Sequence, residues 1–426
     1  MALGIAAEGS TTKVQAPKQN YTVPLILMVS LYFGIGFITS LNDILVQHFK
    51  DLFNLSNKGA LLVQFCFFAA YFVMSLPSGW IISRIGYKRG IVVALAVMGL
   101  GLLLFLPASA IIFYPLFLFA LFVVGSGLAL LQVAINPYVG ALGRPETAAS
   151  RINLAGFFNS SATTIAPKLG AAFIFIAAGA TTAQLARSVR IPYLILAVCA
   201  FAMATLVAFV NLPDVIEQGD DNSRSDGSAW RFNHLRLGAL AIFFYVGAEV
   251  AIGSILISFL GQPSMGSLSH SAAATYVSYY WGGAGIGRLI GFFALQRIKA
   301  QRALAFVSLI ASLLVLTTLV THGHVAMWAI VSCGLFNSIM WPCIFPLSLE
   351  GLGRFTSQGS GILVTMVVGG AVIPEIQGFL ADRFGYQPSF AIVLLCYAYI
   401  LFFALRGHRN LNAVEATNSL NPGVIQ

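Results

Sequence analysis

The sequence predicts an all-α membrane protein of twelve transmembrane helices in two pseudo-symmetric six-helix bundles. Three observations carry this. The 426 residues are 58% hydrophobic and only 9% charged, where a soluble chain would hold about 25% charged residues. The apolar residues fall in runs long enough to cross a hydrocarbon layer about 30 Å thick. The chain also divides at one polar stretch into halves that resemble each other.

The apolar runs cover roughly 22–49, 58–83, 89–107, 111–141, 147–177, 191–211, 233–260, 270–295, 302–321, 324–350, 358–381 and 386–406. This gives a tail over 1–21, a first bundle over 22–211, a linker over 212–232, a second bundle over 233–406 and a tail over 407–426. The linker is rich in Asp, Ser and Gly (Asp214, Asp220, Asp221, Ser223, Ser225, Asp226, Gly227), a flexible composition. No cleaved leader is expected, because Met1 to Asn20 is polar and the apolar run after it is too long. With both termini placed in the cytoplasm, the inner side collects Arg84, Lys88, Arg89, Arg144, Arg151, Arg231, Arg288, Arg297, Lys299, Arg302, Arg354 and Arg406. The outer loops keep Lys50, Lys58, Arg187, Arg190 and Arg383. That asymmetry follows the positive-inside rule. It also accounts for the net charge of +9 without nucleic acid, since no basic patch interleaved with aromatics is present.

The halves answer each other in order. Tyr32-Phe33-Gly34-Ile35-Gly36 pairs with Phe244-Tyr245-Val246-Gly247, and Asn42-Asp43-Ile44-Leu45 with Gly253-Ser254-Ile255-Leu256. Pro137…Gly143-Arg144 pairs with Pro346…Gly353-Arg354, and Ile165-Ala166-Pro167-Lys168 with Val372-Ile373-Pro374-Glu375. Parallel repeats related by an axis along the membrane normal point to a transporter with its site between the repeats, near the midplane.

The residues most costly to such a membrane are the most informative. Asp43 lies within the first run beside Asn42, Thr39 and Ser40. An acid at the bilayer centre costs about 2.5–3.5 kcal/mol on insertion scales, and so marks a proton, ion or substrate site. Because it comes late in its run, snorkelling to the outer headgroups is the alternative. Glu249 is deep in the seventh run, either a second proton site or a neutral, hydrogen-bonded acid joining helices. Asn42, Gln132, Asn136, Asn153, Asn159, Asn337 and Gln377 are amides inside apolar runs. They suit a polyhydroxylated solute, whose hydroxyls need donor–acceptor side chains. Asn136 and Asn153 would serve equally well as interhelical hydrogen-bond partners. Trp281, after Tyr279-Tyr280, offers an aromatic face to apolar CH groups.

Gly79-Trp80-Ile81-Ile82-Ser83-Arg84-Ile85-Gly86-Tyr87-Lys88-Arg89 resembles the Gly-x-x-x-Asp-Arg-x-Gly-x-Lys/Arg loop of the major facilitator superfamily, with Ser83 in place of the acid. Gly378-Phe379-Leu380-Ala381-Asp382-Arg383-Phe384-Gly385-Tyr386 is a second version that keeps it. Five further stretches occur in order: Leu41-Asn42-Asp43-Ile44-Leu45, Leu131-Gln132-Val133-Ala134-Ile135-Asn136-Pro137-Tyr138, Ser150-Arg151-Ile152-Asn153-Leu154-Ala155-Gly156-Phe157-Phe158-Asn159-Ser160, Tyr245-Val246-Gly247-Ala248-Glu249-Val250 and Phe336-Asn337-Ser338-Ile339-Met340. Together they resemble the fucose/glucose–galactose proton symporters of that superfamily, nearest the glucose/galactose branch because Gln132 stands where the fucose branch has glutamate. The family usually has glutamine where this chain has Gly156.

The resemblance implies proton-coupled uptake of a hexose or hexose derivative across the bacterial cytoplasmic (inner) membrane. It implies Asp43 in proton coupling, with Glu249 as the second candidate. Read from the residues themselves, Asn42, Gln132, Asn136, Asn159, Trp281 and Asn337 are the sugar-site candidates. Arg84, Lys168, Glu375 and Arg383 are the gating candidates, with Lys168 and Glu375 read as a pair that meets when the outer side closes. The expected partners are the sugar and membrane lipids, the expected state a monomer, and the expected cofactors none beyond the proton as coupling ion.

Other readings fare worse. An exporter on the same scaffold would favour an aromatic, amide-poor cavity, and a membrane sugar sensor would need a signalling domain that the short tails leave no room for. No nucleophile–base or metal constellation supports an enzyme. Cys66, Cys199, Cys333, Cys343 and Cys396 are scattered through apolar runs and read as packing residues. His322 and His324 lack a third metal ligand. Gly283, Gly287 and Gly291 have the four-residue interval of close helix packing and lack the spacing of a dinucleotide loop.

Overall fold

The computed structural model describes residues 21–55, 57–174, 181–213 and 227–409. The chain there is helical almost throughout, because in hydrocarbon a helix satisfies its backbone N–H and C=O groups from within. The first half holds α1 (Thr22–Phe53), α2 (Asn57–Ile85), α3 (Tyr87–Leu103, continued by Phe105–Ile111), α4 (Tyr114–Ala141), α5 (Ala148–Ile174) and α6 (Arg190–Phe209). A short helix, Thr182–Ser188, precedes α6. The second half holds α7 (Asn233–Leu260), α8 (His270–Ala294), α9 (Ala300–Val320), α10 (Gly323–Asn337 and Met340–Leu349), α11 (Thr356–Thr365 and Gly369–Phe384) and α12 (Ala391–Phe402). Most of the expected linker and both expected tails lie outside the described residues.

The interruptions have local causes. In α10, Pro342 has no N–H to give the Ser338 carbonyl, and the helix opens at residues 338–339. The Ser338 hydroxyl then donates to the Leu335 carbonyl (2.6 Å). Gly86 (φ +79°) and Gly385 (φ +94°) make the tight corners into α3 and α12, in a region that glycine enters without strain. The two look-alike loops of the sequence therefore share one backbone device, but they sit at opposite ends of the bundle. Gly143 (φ +136°) and Gly353 (φ +52°) turn the chain from α4 to α5 and from α10 to α11, so the repeat seen in sequence is also a repeat of corners. Arg151 secures the first of these, donating to the carbonyls of Val139, Gly140 and Arg144 and to the Thr147 hydroxyl.

Among the described residues, ten helical stretches are both long and apolar enough to cross a membrane. α5 and α8 have the length, 27 and 25 residues, but are too polar to qualify. They also pack on each other across the two halves, and Ser150, Asn153 and Arg288 find hydrogen-bond partners there. α6 is the reverse case, with only 28% of its most apolar window buried against 72% for α10. Ile191, Leu194, Ile195, Val198 and Phe209 of α6 lie exposed, as lipid-facing residues should.

The halves meet at the end of the bundle that holds Tyr21 and Arg409, the first and last residues described, called the termini end below. There α2 touches α11 so closely that a Cβ on Gly79 would stand 2.6 Å from the Ser357 carbonyl oxygen, and one on Gly361 2.6 Å from that of Ser75. On the other side of the seam, the Ser150 hydroxyl of α5 donates to the Phe292 carbonyl of α8 (2.7 Å). The Ser360 hydroxyl of α11 donates to the Val133 carbonyl of α4 (2.7 Å), and the Asn153 amide to the Arg288 carbonyl. The glycine face of α8 packs as its spacing predicts: Gly287 lies against Leu335 and Ser338, and Gly291 against Ile339 and Asn153.

Gly361→Val should hold this seam apart. A cysteine replacing Ser360 should then react with a water-soluble maleimide several-fold faster than in the parent chain. Gly34→Ala, whose Cβ meets nothing within 4 Å, should leave that rate unchanged. Equal rates in the valine variant would show that α2 and α11 do not depend on glycine for their approach.

Candidate functional site

A cavity of about 170 Å³ lies above the closed seam, walled by the first half and reaching the second at Val367. Ile35, Gly36 and Thr39 of α1, Phe67, Phe68 and Tyr71 of α2, Gln132 of α4, and Asn159 and Thr163 of α5 line it, with Val367 from the turn inside α11. This is below the roughly 300–1,000 Å³ of sites for drug-sized ligands and fits a small solute. Its wall combines aromatic rings with amides and hydroxyls. A larger groove of about 740 Å³ at the termini end is lined by Tyr87, Lys88, Arg89, Tyr138 and Pro213, and holds none of the amides or acids singled out in the sequence.

Two of the predicted amides reach the cavity. Gln132 donates from Nε2 to the Tyr71 hydroxyl (3.0 Å), leaving its carbonyl and second N–H for a solute. Asn159 donates to the Tyr32 carbonyl (3.0 Å). Asn42, Asn136 and Asn337 do not line the wall; they are 2%, 2% and 0% exposed. Asn42 donates to Gln64 Oε1 of α2 (3.0 Å). The Tyr32 hydroxyl of α1 donates to Asn136 Oδ1 of α4. Asn337 of α10 donates to the Tyr280 hydroxyl of α8 (2.8 Å) and accepts from the Tyr397 hydroxyl of α12 (2.7 Å). In this conformation these three amides join helices, because each has a partner on a neighbouring helix closer than any cavity.

In the second half, Tyr280 passes the Asn337 chain onward by donating to the Glu249 carbonyl (2.9 Å). The Glu249 side chain accepts from the Tyr245 hydroxyl (3.0 Å). Its other oxygen is buried and, among the described residues, has no hydrogen-bond partner. Trp281 is 46% exposed, edge-on to Tyr280 with centroids 5.1 Å apart. A Cβ on Gly253 would touch its ring at 3.2 Å, so the bare backbone of α7 makes the space in which the indole lies.

Asp43 lies on α1 one turn beyond Thr39; its side chain and that of Lys168 are outside the described residues. Glu375 is exposed on α11. Arg84 is exposed at the termini end, its guanidinium 3.8 Å from the centroid of the Trp80 ring. Arg383 is exposed at the opposite end beside Asp382, so Arg84 and Arg383 do not belong to one gate. The residue the sequence reading passed over is Arg288. Counted there as an inner-side charge, it lies inside α8 and donates across the seam to the Gly156 carbonyl (2.9 Å) and the Ser160 hydroxyl of α5. Its setting, Gly285-Ile286-Gly287-Arg288-Leu289-Ile290-Gly291, was the available signal, since a cation within an apolar run marks an interior role.

Residues 26–374 match the model of the Major Facilitator Superfamily. Over 414 residues the chain is 50% identical to a glucose/galactose transporter of Brucella abortus biovar 1 (strain 9-941), covering 96% of this chain and 100% of that one. It is 33% identical over 415 residues to the L-fucose-proton symporter of Escherichia coli (strain K12), covering 91% and 93% respectively. The crystal structure of a Major Facilitator Superfamily transporter, FucP, in the outward conformation superposes with a TM-score of 0.84 at 32% identity, covering 91% of this chain and 99% of that one.

The hydrogen bonds separate packing from binding. Tyr397→Phe leaves Asn337 Oδ1 buried without its donor and should cost about 1–3 kcal/mol of stability. Tyr71→Phe should cost less than about 1 kcal/mol, because water in the cavity can take the Gln132 proton. Thermal unfolding of the purified protein in detergent checks both; equal losses would place Gln132 in the packed interior.

Proposed function

The chain belongs to the Major Facilitator Superfamily, and we propose that it imports a hexose of the glucose/galactose type together with a proton, by alternating access. The observation that carries this is the 50% identity, from end to end, to a protein named as a glucose/galactose transporter. The cavity supports it, being small, lined by amides and hydroxyls, and closed at one end. A pyranose needs both kinds of surface found there, hydrogen-bonding side chains for its hydroxyls and aromatic faces for its CH groups.

In this reading the closed seam is cytoplasmic, both termini lie in the cytoplasm, and the halves over 22–211 and 233–406 rock about the cavity within a single chain. Gln132, Asn159 and Trp281 contact the sugar. Asn42, Asn136 and Asn337 position the helices that carry those contacts. Asp43 takes a proton from the outer side, since a neutral acid crosses a closed low-dielectric cavity at far lower cost than a carboxylate. Glu249 is the second proton candidate, and Lys168 and Glu375 close the outer side. Proton and sugar need no direct contact; each has only to favour the transition in the presence of the other.

Proteoliposomes with an imposed proton gradient test this with labelled glucose, galactose, mannose, fucose and N-acetylglucosamine. Glucose or galactose should be concentrated, and only while the gradient lasts. Asp43→Asn should abolish concentration against a gradient while sugar exchange across the membrane remains measurable. Full proton-dependent accumulation by that variant would remove Asp43 from the coupling.

A further inference from the structure

We propose that Arg288 is a specificity-determining residue of the sugar site: it donates to sugar hydroxyls from the cavity floor, and it clasps α5 when no sugar is present. The proposal rests on the hexose reading for its first part and on geometry alone for its second.

The seat of the guanidinium is Gly156. A Cβ there would lie 3.6, 3.7 and 3.9 Å from Arg288 Cδ, Nε and Cζ, so the arginine stem runs along a face of α5 that carries no side chain. Any residue longer than alanine would compete for that space. From this seat Nη1 donates to the Gly156 carbonyl and the Ser160 hydroxyl. Positions 156, 159–160 and 163 recur at helical spacing, and Asn159 and Thr163 line the cavity. The guanidinium therefore lies one turn below the cavity wall, between the amide row of α5 and the closed seam. On its other side it interacts with the Tyr245 hydroxyl and, electrostatically, with Glu249, both on α7.

A guanidinium in a low-dielectric interior keeps its charge and needs acceptors. Its planar fork offers five N–H donors, and α5 engages only Nη1. The remaining edge, which faces Tyr245 and Glu249 when no sugar is bound, can turn to donate to neighbouring hydroxyls of a pyranose, a task for which a point-charge ammonium is poorly shaped. A sugar drawing the fork toward the cavity competes with Gly156 and Ser160 for it. Those two bonds join the halves, so sugar binding loosens the seam. This supplies the differential interaction that a ligand must have to shift a two-state equilibrium.

The test uses the full chain. Hexose uptake into proteoliposomes gives KM and Vmax for the parent, Arg288→Lys and Gly156→Gln, each checked by thermal unfolding. Seam opening is read separately and without sugar, in detergent, as maleimide alkylation of a cysteine replacing the buried Ser150 above the background of the native cysteines. Both variants should raise KM about tenfold or more with a smaller change in Vmax. Gly156→Gln and Arg288→Ala should each speed sugar-free alkylation several-fold, and hexose should speed it in the parent but not in Arg288→Ala. Parent-like KM in Arg288→Lys and Gly156→Gln overturns the sugar contact. Parent-like alkylation in Gly156→Gln and Arg288→Ala overturns the clasp. A parent chain that transports no hexose removes the hexose reading and leaves the alkylation result to decide the clasp alone.

Discussion

Polar side chains inside a hydrocarbon slab must find partners within the protein, and the fold depends on where those partners are. Within each half, tyrosine–asparagine bonds act as bolts. Tyr32 and Asn136 tie α1 to α4, and Asn159 adds α5 through the Tyr32 carbonyl. Tyr280, Asn337 and Tyr397 tie α8, α10 and α12. The tyrosine hydroxyl–asparagine bonds are buried and join helices of one half only, so each half is stiff about its own amide. The bonds between the halves are of another kind. They run from serine hydroxyls, an asparagine amide and a guanidinium, mostly to backbone carbonyls, in the part of the bundle nearest the termini.

That division sets what was legible beforehand. Twelve spans and the repeated corners are properties of hydropathy, proline and glycine, which act locally, and the spans appear in sequence with ends shifted by a few residues. α1 runs on to Phe53 and α3 hitches at Leu104, details that depend on what packs nearby. The amides were visible as amides but their assignments were not. Whether Asn337 faces a solute or a tyrosine depends on how α8, α10 and α12 cross, and no residue spacing within one helix encodes that. Gln132 and Asn159 stand at the wall, while Asn42 and Asn136 turn away from it. Arg288 was visible as a cation inside an apolar run, but its partners, a carbonyl and a serine on a helix more than a hundred residues away, were not.

The low polarity of the halves' outer faces and the high polarity of α5 and α8 are two sides of one constraint. A helix that spends the whole cycle against lipid, such as α6, can be apolar all round where it is exposed. A helix that closes a seam in one state and lines water in the other must carry groups that are satisfied in both. Serine and asparagine meet that demand by bonding a carbonyl when the seam is shut and water when it is open, and glycine lets the backbones approach.

The strength of the seam follows from the same choice. Interhelical side-chain hydrogen bonds in membranes average about 0.6 kcal/mol, so three or four of them hold the seam by roughly 2 kcal/mol. Moving a two-state equilibrium from 1:99 to 99:1 takes about 5.5 kcal/mol of differential binding. A seam of neutral bonds is thus within reach of one small ligand and a proton acting together, whereas a seam of buried ion pairs would cost about 3–5 kcal/mol for each pair left broken. The cation that does cross this seam, Arg288, escapes that penalty only if another acceptor stands ready on its own half. Tyr245 and Glu249 are placed there, one helix away, so the charge can leave α5 without being stranded.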